Sequence, residues 1–263
     1  MKRYLWISNI ILFSILILIA LKYKFPQKIY DKIFNQETQN NLPLKRSNLV
    51  ENLNCVYDLK YFDFHYKPET DTPNIIMFGN SLIRHADWNK LLSRNDVLNR
   101  GISGDNLPCM CQRLKYLKDK KAKIWFIEGG INDLPQRNTL ILFEKYKEIV
   151  EFVKNEHSIP VINMVLYISP KAGEKFPSRI NYSQINDSIF KLNNYLKEYS
   201  INNDIKFIDL NKEISSENKI LKSEFTTDGV HLTQDAYDKW AMEINEVIKN
   251  TTKKLQPTSV KRK

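Results

Sequence analysis

The stretch Asn74-Ile75-Ile76-Met77-Phe78-Gly79-Asn80-Ser81 decides the fold. Large apolar residues run without a polar break and end at a glycine, which is the pattern of a strand buried on both faces in a parallel sheet. Gly79-Asn80-Ser81 would then turn the chain sharply out of that strand, and Leu82 to Ser93 continues at helical spacing. Ser81 is therefore expected at a helix N-terminus, where N–H groups without helical partners and the macrodipole favour developing negative charge. Read alone, the tripeptide fits an ordinary N-cap serine just as well.

The same grammar repeats along the chain. Strand-like runs at 74–78, 97–99, 123–128, 159–166 and 205–210 alternate with helix-like stretches near 82–94, 106–118, 139–155, 183–199 and 234–249. Such alternation argues for a parallel sheet with helices on both faces. About 180 residues in this region suffice for one core, with no internal repeat and no second domain.

Two further segments follow apolar runs. Asn99-Arg100-Gly101-Ile102-Ser103-Gly104-Asp105 comes after Val97 and Leu98, and Gly129-Gly130-Ile131-Asn132-Asp133 comes after Lys123 to Ile127. A glycine backbone can approach a reacting carbonyl without a side chain in the way, and an asparagine amide can donate a neutral N–H to an oxyanion. In an open α/β sheet the carboxyl ends of strands form the ligand crevice. Near the C-terminus, Asp228-Gly229-Val230-His231 sets a carboxylate and an imidazole three residues apart. One turn could thus supply a general base and the group that orients it.

Together these segments resemble the SGNH hydrolases, or GDSL-type esterases and lipases, whose four blocks carry Ser, Gly, Asn and His in that order. The matching residues are Ser81, Gly104, Asn132 and His231, with Asp228 in the last block, and the resemblance runs from about Asn74 to Ile248. The wording of Asn99 to Asp105 and of Asp228 to Thr233 is most similar to the branch holding platelet-activating-factor acetylhydrolase-like enzymes and bacterial carbohydrate acetylesterases. One departure is Asn80, where the family usually has Asp; it bears on turn geometry and not on the triad. The resemblance implies a three-layer α/β/α flavodoxin-like (Rossmann-like) parallel sheet of SGNH type. It also implies a Ser81–His231–Asp228 triad, with an oxyanion hole from the backbone N–H groups of Ser81 and Gly104 and the side chain of Asn132. No cofactor and no metal enter that chemistry.

The order Ser, Asp, His is shared with the α/β-hydrolases, but their Gly-x-Ser-x-Gly elbow is absent, since Leu82 and Ile83 follow Ser81. The other histidines, His65, His85 and His157, lack a partner at useful spacing and read as surface or core residues; a pocket-lining place for His85, four residues past Ser81, is the lesser alternative. The expected activity is hydrolysis of a short acyl, chiefly acetyl, ester of a carbohydrate or lipid through an acyl-enzyme. The alternatives are a lysophospholipase or short-chain lipase, an envelope O-acyltransferase using the same triad, and an inactive binding module. The last fits poorly with a full set of catalytic residues.

Residues 1–24 are different material. Lys2 and Arg3 precede an uncharged Ile- and Leu-rich stretch from Tyr4 to Leu21, and Lys22 and Lys24 close it. As a helix it would span roughly 27 Å, close to a bilayer's hydrocarbon core. Only Ala20 suits a signal-peptidase site, so a signal anchor is expected, with the catalytic domain on the extracytoplasmic side; the alternative is export after cleavage. Residues 25–72 read as linker and lead-in, 73–250 as the hydrolase domain and 251–263 as a basic tail. The net charge of +10 sits mainly in the termini, leaving the hydrolase domain near neutral, and nothing resembles a nucleic-acid-binding fold. Basic termini beside an apolar segment suit an anionic membrane surface. Cys55, Cys109 and Cys111 are wrongly spaced for zinc; a bridge from Cys55 to either of the others and free thiols are both open.

Overall fold

The computed structural model describes Cys55 and residues 73–118, 120–134, 136–175 and 181–255. The expected transmembrane segment, the lead-in apart from Cys55, and the end of the basic tail lie outside these residues. Among the described residues, no helix is long and apolar enough to cross a membrane.

Strand β1 (Ile75–Gly79) leads into the short helix α1 (Ser81–Arg84), followed by α2 (Trp88–Leu91) and β2 (Val97–Gly101). Helix α3 (Leu107–Arg113) continues as a 3₁₀ turn, Leu114–Leu117, before β3 (Ile124–Ile127). Then come α4 (Thr139–Asn155), β4 (Ile159–Asn163), α5 (Lys171–Lys175), α6 (Tyr182–Asn202) and β5 (Lys206–Ile208). Helix α7 (Asn211–Ile214), a 3₁₀ turn at Ser223–Phe225 and α8 (Gln234–Leu255) finish the domain.

The five strands pair in parallel in the order β2-β1-β3-β4-β5. The strand order reverses at β1 and β3, and at such a switch point loops leave the sheet in opposite directions and open a crevice. Ser81 follows β1 and Asn132 follows β3, so two of the expected site residues flank it.

The two-residue period of a strand explains the layers. Ile76, Phe78, Trp125, Ile127 and Ile162 face α3, α4 and α6, where Leu107, Met110, Leu142, Tyr146, Val150, Ile189 and Leu192 cover them. The alternate positions Ile75, Met77, Ile124, Phe126 and Val161 face α1, α2 and α8, under Leu82, Ile83, Trp88, Trp240 and Ile244. Trp240 also donates its Nε1–H to Asn163 Oδ1 at 2.9 Å, so the buried indole has a polar partner.

Past Asn163 the chain leaves the sheet yet stays buried. Asparagine side chains take over the pairing of its backbone: Asn193 with Val165, Asn211 with the N–H of Tyr167, and Asn186 with Ile168, all near 2.9 Å. These bonds carry the segment to Ser169, whose N–H donates to Gly229 O at 2.9 Å. The strand expected over 159–166 is therefore a five-residue strand plus a side-chain-supported extension.

The helix expected over 82–94 is two helices. Asp87 accepts from Lys90 N at 3.1 Å and starts α2 afresh, so His85 and Ala86 form a turn. The carbonyls at the end of α1 are claimed by distant side chains: Tyr237 Oη donates to Leu82 O at 2.8 Å, Trp88 Nε1 to Ile83 O at 2.8 Å and Asn99 Nδ2 to Ile83 O at 3.0 Å. A four-residue helix has no stability of its own, and these bonds hold it.

Gly101 sets how closely β2 can approach α1. A Cβ there would overlap the backbone nitrogen of Arg84 and lie 2.8 Å from Asn80 O. Gly101→Ala should therefore lower stability by about 1–3 kcal/mol in urea denaturation, as overpacking does. It should also reduce ester turnover in protein that remains folded, because the clash falls on the helix carrying Ser81.

Candidate active site

Ser81 occupies the first position of α1, and Asn80 is its N-cap, with Oδ1 accepting from Leu82 N at 2.8 Å. Asn80 also donates from Nδ2 to Glu128 Oε1 at 3.3 Å, both side chains being fully buried. The Asp usual at this place in SGNH hydrolases could form the cap but has no N–H for Glu128. The departure seen in the sequence thus has a partner beyond the turn.

The Asp228–His231 segment is a closed loop held by its own hydrogen bonds. Asp228 Oδ1 accepts from the N–H groups of Val230 and His231 at 3.0 and 2.8 Å. Thr226 Oγ1 accepts from Gly229 N and donates to His231 O, both at 2.8 Å. Gly229 takes φ +94°, where a side chain would strain the backbone and meet Ala172. The other carboxylate oxygen, Asp228 Oδ2, lies 2.8 Å from His231 Nδ1, and His231 Nε2 lies 3.0 Å from Ser81 Oγ. Hydroxyl, imidazole and carboxylate thus form one continuous chain of contacts across 150 residues of sequence.

The glycine and asparagine blocks are tied to each other. Gly104 lies in the Ile102–Asp105 turn at φ +78°, and Asn132 donates from Nδ2 to Asp105 O at 2.8 Å. An amide nitrogen has two hydrogens, so the bond that anchors Asn132 leaves a second N–H to offer. Asp133 accepts from Leu107 N at 2.9 Å, fastening the start of α3 to the same loop. Gly104 and Asn132 are solvent-exposed, while Ser81 and Asp228 are buried.

Two supporting residues escaped the sequence reading. The Arg113 guanidinium is wholly buried and pairs through Nε with Asp105 Oδ2 at 2.8 Å. It also donates to Arg100 O at 2.9 Å and Gly79 O at 2.8 Å, and stacks over the Phe78 ring at 4.1 Å. It thereby joins the ends of β1 and β2 to the Gly104 loop. Glu128 is the second: burial pushes its carboxyl up to about 8, against a smaller opposing effect of the Asn80 hydrogen bond. Its Oε2 has no hydrogen-bond partner among the described residues. Neither role has a sequence signal, because both depend on contacts across distant segments.

The cysteines resolve to a Cys55–Cys109 disulfide with Cα atoms 5.7 Å apart, and Cys111 is free. Burial pushes the Cys111 thiol far up, which makes it a poor nucleophile. Among the described residues, no three His, Cys, Asp or Glu side chains are grouped to hold a metal ion.

A three-layer parallel α/β domain with a Ser–His–Asp contact chain at its switch point defines a hydrolase-type class. Comparison of the sequence places the chain within that class: the GDSL-like lipase/acylhydrolase family profile matches residues 76–239, and the protein belongs to this family of ester hydrolases. No curated protein gives a significant match to the sequence. Among solved structures, a GDSL-like lipase from Bacteroides thetaiotaomicron superposes with a TM-score of 0.63 at 22% identity, covering 73% of this chain and 97% of its own. The aryl esterase of M. smegmatis gives 0.55 at 14%, covering 68% and 99%. A carbohydrate acetylesterase from Sinorhizobium meliloti gives 0.54 at 12%, covering 68% and 100%. These likenesses concern the fold.

The pH dependence of stability follows from Glu128. In the unfolded chain its carboxyl ionises near 4.5, whereas the folded chain holds the proton to about 8. Its contribution is therefore complete below about pH 4.5 and is lost as pH rises toward 8. Glu128→Gln keeps an acceptor for Asn80 and cannot ionise. Its melting temperature relative to wild type should rise between pH 5 and pH 8; a gap independent of pH would contradict a buried neutral acid.

Proposed function

We propose that the protein is a serine esterase that removes short acyl groups, chiefly acetyl, from a carbohydrate or lipid, with Ser81 as nucleophile. The observation that carries this reading is the unbroken run from Ser81 Oγ through His231 to Asp228, at 3.0 and 2.8 Å. His231 takes the hydroxyl proton through Nε2 as Ser81 attacks the ester carbonyl. Asp228 fixes the Nδ1–H tautomer and stabilises the imidazolium, and His231 then returns the proton to the leaving alcohol. The backbone N–H groups of Ser81 and Gly104, with the Asn132 amide, hold the oxyanion. Water activated by the same His231 releases the acid. The preference for a small acyl group is proposed because a hydrolase region of about 180 residues has little spare length for a large lid. The fold is also that of a carbohydrate acetylesterase from another organism, so the scaffold accommodates such a substrate.

The test is p-nitrophenyl acetate hydrolysis by the full-length chain, set beside an octanoate ester. Ser81→Ala should reduce turnover on the order of a millionfold, as loss of a triad nucleophile does, and Asn132→Ala about a hundredfold to a thousandfold. Acetate should be preferred; a preference for octanoate would move the assignment to a lipase, and hydrolysis unaffected by Ser81→Ala would refute the nucleophile.

We further propose that the domain works outside the cytoplasm, tethered through Tyr4 to Leu21. The Cys55–Cys109 bridge supports an oxidising compartment. The protein should stay in the membrane pellet under alkaline carbonate, and maleimide should label Cys55 and Cys109 only after reduction. Reduction should also lower stability by about 2–4 kcal/mol, since the bridge closes a long loop. Recovery in the soluble fraction with all three thiols reactive would contradict both.

A further inference from the structure

His231 has a neighbour with no part in the relay. The rings of His85 and His231 lie 5.1 Å apart between centroids, tilted by 41°. His85 Nε2 lies 3.4 Å from the hydroxyl of Ser103, the residue immediately before Gly104. Both His85 and Ser103 are exposed, so neither side chain is required by the core. The turn that carries His85 is nevertheless fixed, because Asn99 Nδ2 reaches the carbonyls of Ile83 and Ala86 at 3.0 and 3.1 Å on either side of it.

Chemistry settles which half of the substrate meets this pair. His231 Nε2 must hand its proton to the departing alkoxide, so the alcohol half of the ester lies beside that ring, while the acyl oxygen points toward Gly104 and Asn132. A side chain packed beside His231 therefore borders the alcohol half. From this placement we infer that His85 and Ser103 form the alcohol-side recognition site, and that the substrate is the ester of a polyol whose free hydroxyl, beside the acylated oxygen, hydrogen-bonds to His85. This rests on the esterase reading above and extends it to the leaving group.

The state of His85 fits a neutral hydroxyl. Burial lowers its pKa first, followed by the nearby charges of His231 and Arg84, with Asp228 opposing. A neutral imidazole offers one donor and one acceptor, the complement of a hydroxyl. His85 is not a second general base for Ser81, since its Nε2 faces Ser103 while Ser81 Oγ is engaged by His231.

The test uses two acetates with the same acyl group and the same three-carbon alcohol skeleton, 2,3-dihydroxypropyl acetate (glycerol 1-acetate) and n-propyl acetate. Both are assayed by acid release with the full-length protein. Wild type should favour the dihydroxy ester in kcat/KM by about 5- to 10-fold, the scale of one net hydrogen bond. His85→Ala should erase that preference, mainly by raising KM for the dihydroxy ester. His85→Gln, which keeps a donor and an acceptor, should restore part of it, and Ser103→Ala should weaken it. Equal wild-type rates on the two esters, or an equal loss on both in His85→Ala, would overturn the inference while the esterase stands. Absence of Ser81-dependent hydrolysis of these esters and of p-nitrophenyl acetate would instead remove the esterase reading, and the inference with it.

Discussion

The buried ion pair between Arg113 and Asp105 is the constraint around which the site is assembled. A guanidinium has five donors in a plane, and here they reach the carboxylate of the Gly104 loop and the terminal carbonyls of β1 and β2, with Phe78 beneath. Gly79 O also accepts from Ile102 N at 3.0 Å, so the guanidinium adds a second donor there; a buried acceptor left with no donor at all would cost about 1–3 kcal/mol. A well-packed apolar replacement could equal such a pair in stability, but loss of one partner leaves a buried charge and costs about 3–5 kcal/mol. The pair also fixes position: Gly79 precedes the Asn80–Ser81 turn, and Asp105 follows Gly104. One side chain thus ties the Asn80–Ser81 turn to the Gly104 loop.

A second layer of support comes from neutral polar groups. The buried Asn80–Glu128 contact lies directly behind Ser81, and Tyr146 brackets Gly129 by accepting from its N–H and donating to its carbonyl at 3.0 and 2.8 Å. Burial raises the tyrosine well above its ordinary range, with the Glu128 charge a further cause. Holding Glu128 protonated avoids an uncompensated buried carboxylate behind the Asn80–Ser81 turn. The field at Ser81 is then left to the α1 N-terminus, His231 and the donors around Gly104 and Asn132.

The sequence was most legible where chemistry is local. The strand-to-turn passage at Phe78-Gly79-Asn80-Ser81 and the turn Asp228 to His231 each contain their own backbone geometry, although the reading of Ser81 as more than a cap needed the other blocks as well. Helix α4 begins and ends where periodicity placed it, at Thr139 and Asn155. Legibility failed where remote side chains replace local partners. The break between α1 and α2 depends on Asn99, Trp88 and Tyr237; the extension beyond β4 depends on Asn186, Asn193 and Asn211; and the choice of Cys109 as the partner of Cys55 depends on tertiary placement. Arg113 looks in sequence like one more basic residue at the end of a helix. Only the fold reveals the acceptors that Arg113 reaches.

The most direct measurement of the central claim is covalent trapping of the full-length protein with a fluorophosphonate, followed by peptide mass spectrometry. A nucleophile activated by His231 and Asp228 should yield one phosphonyl adduct, on Ser81, and His231→Ala should abolish it in protein that still melts cooperatively. An adduct on another residue with ester hydrolysis intact, or labelling of Ser81 that persists without His231, would contradict the assignment of Ser81 and His231 as a working pair.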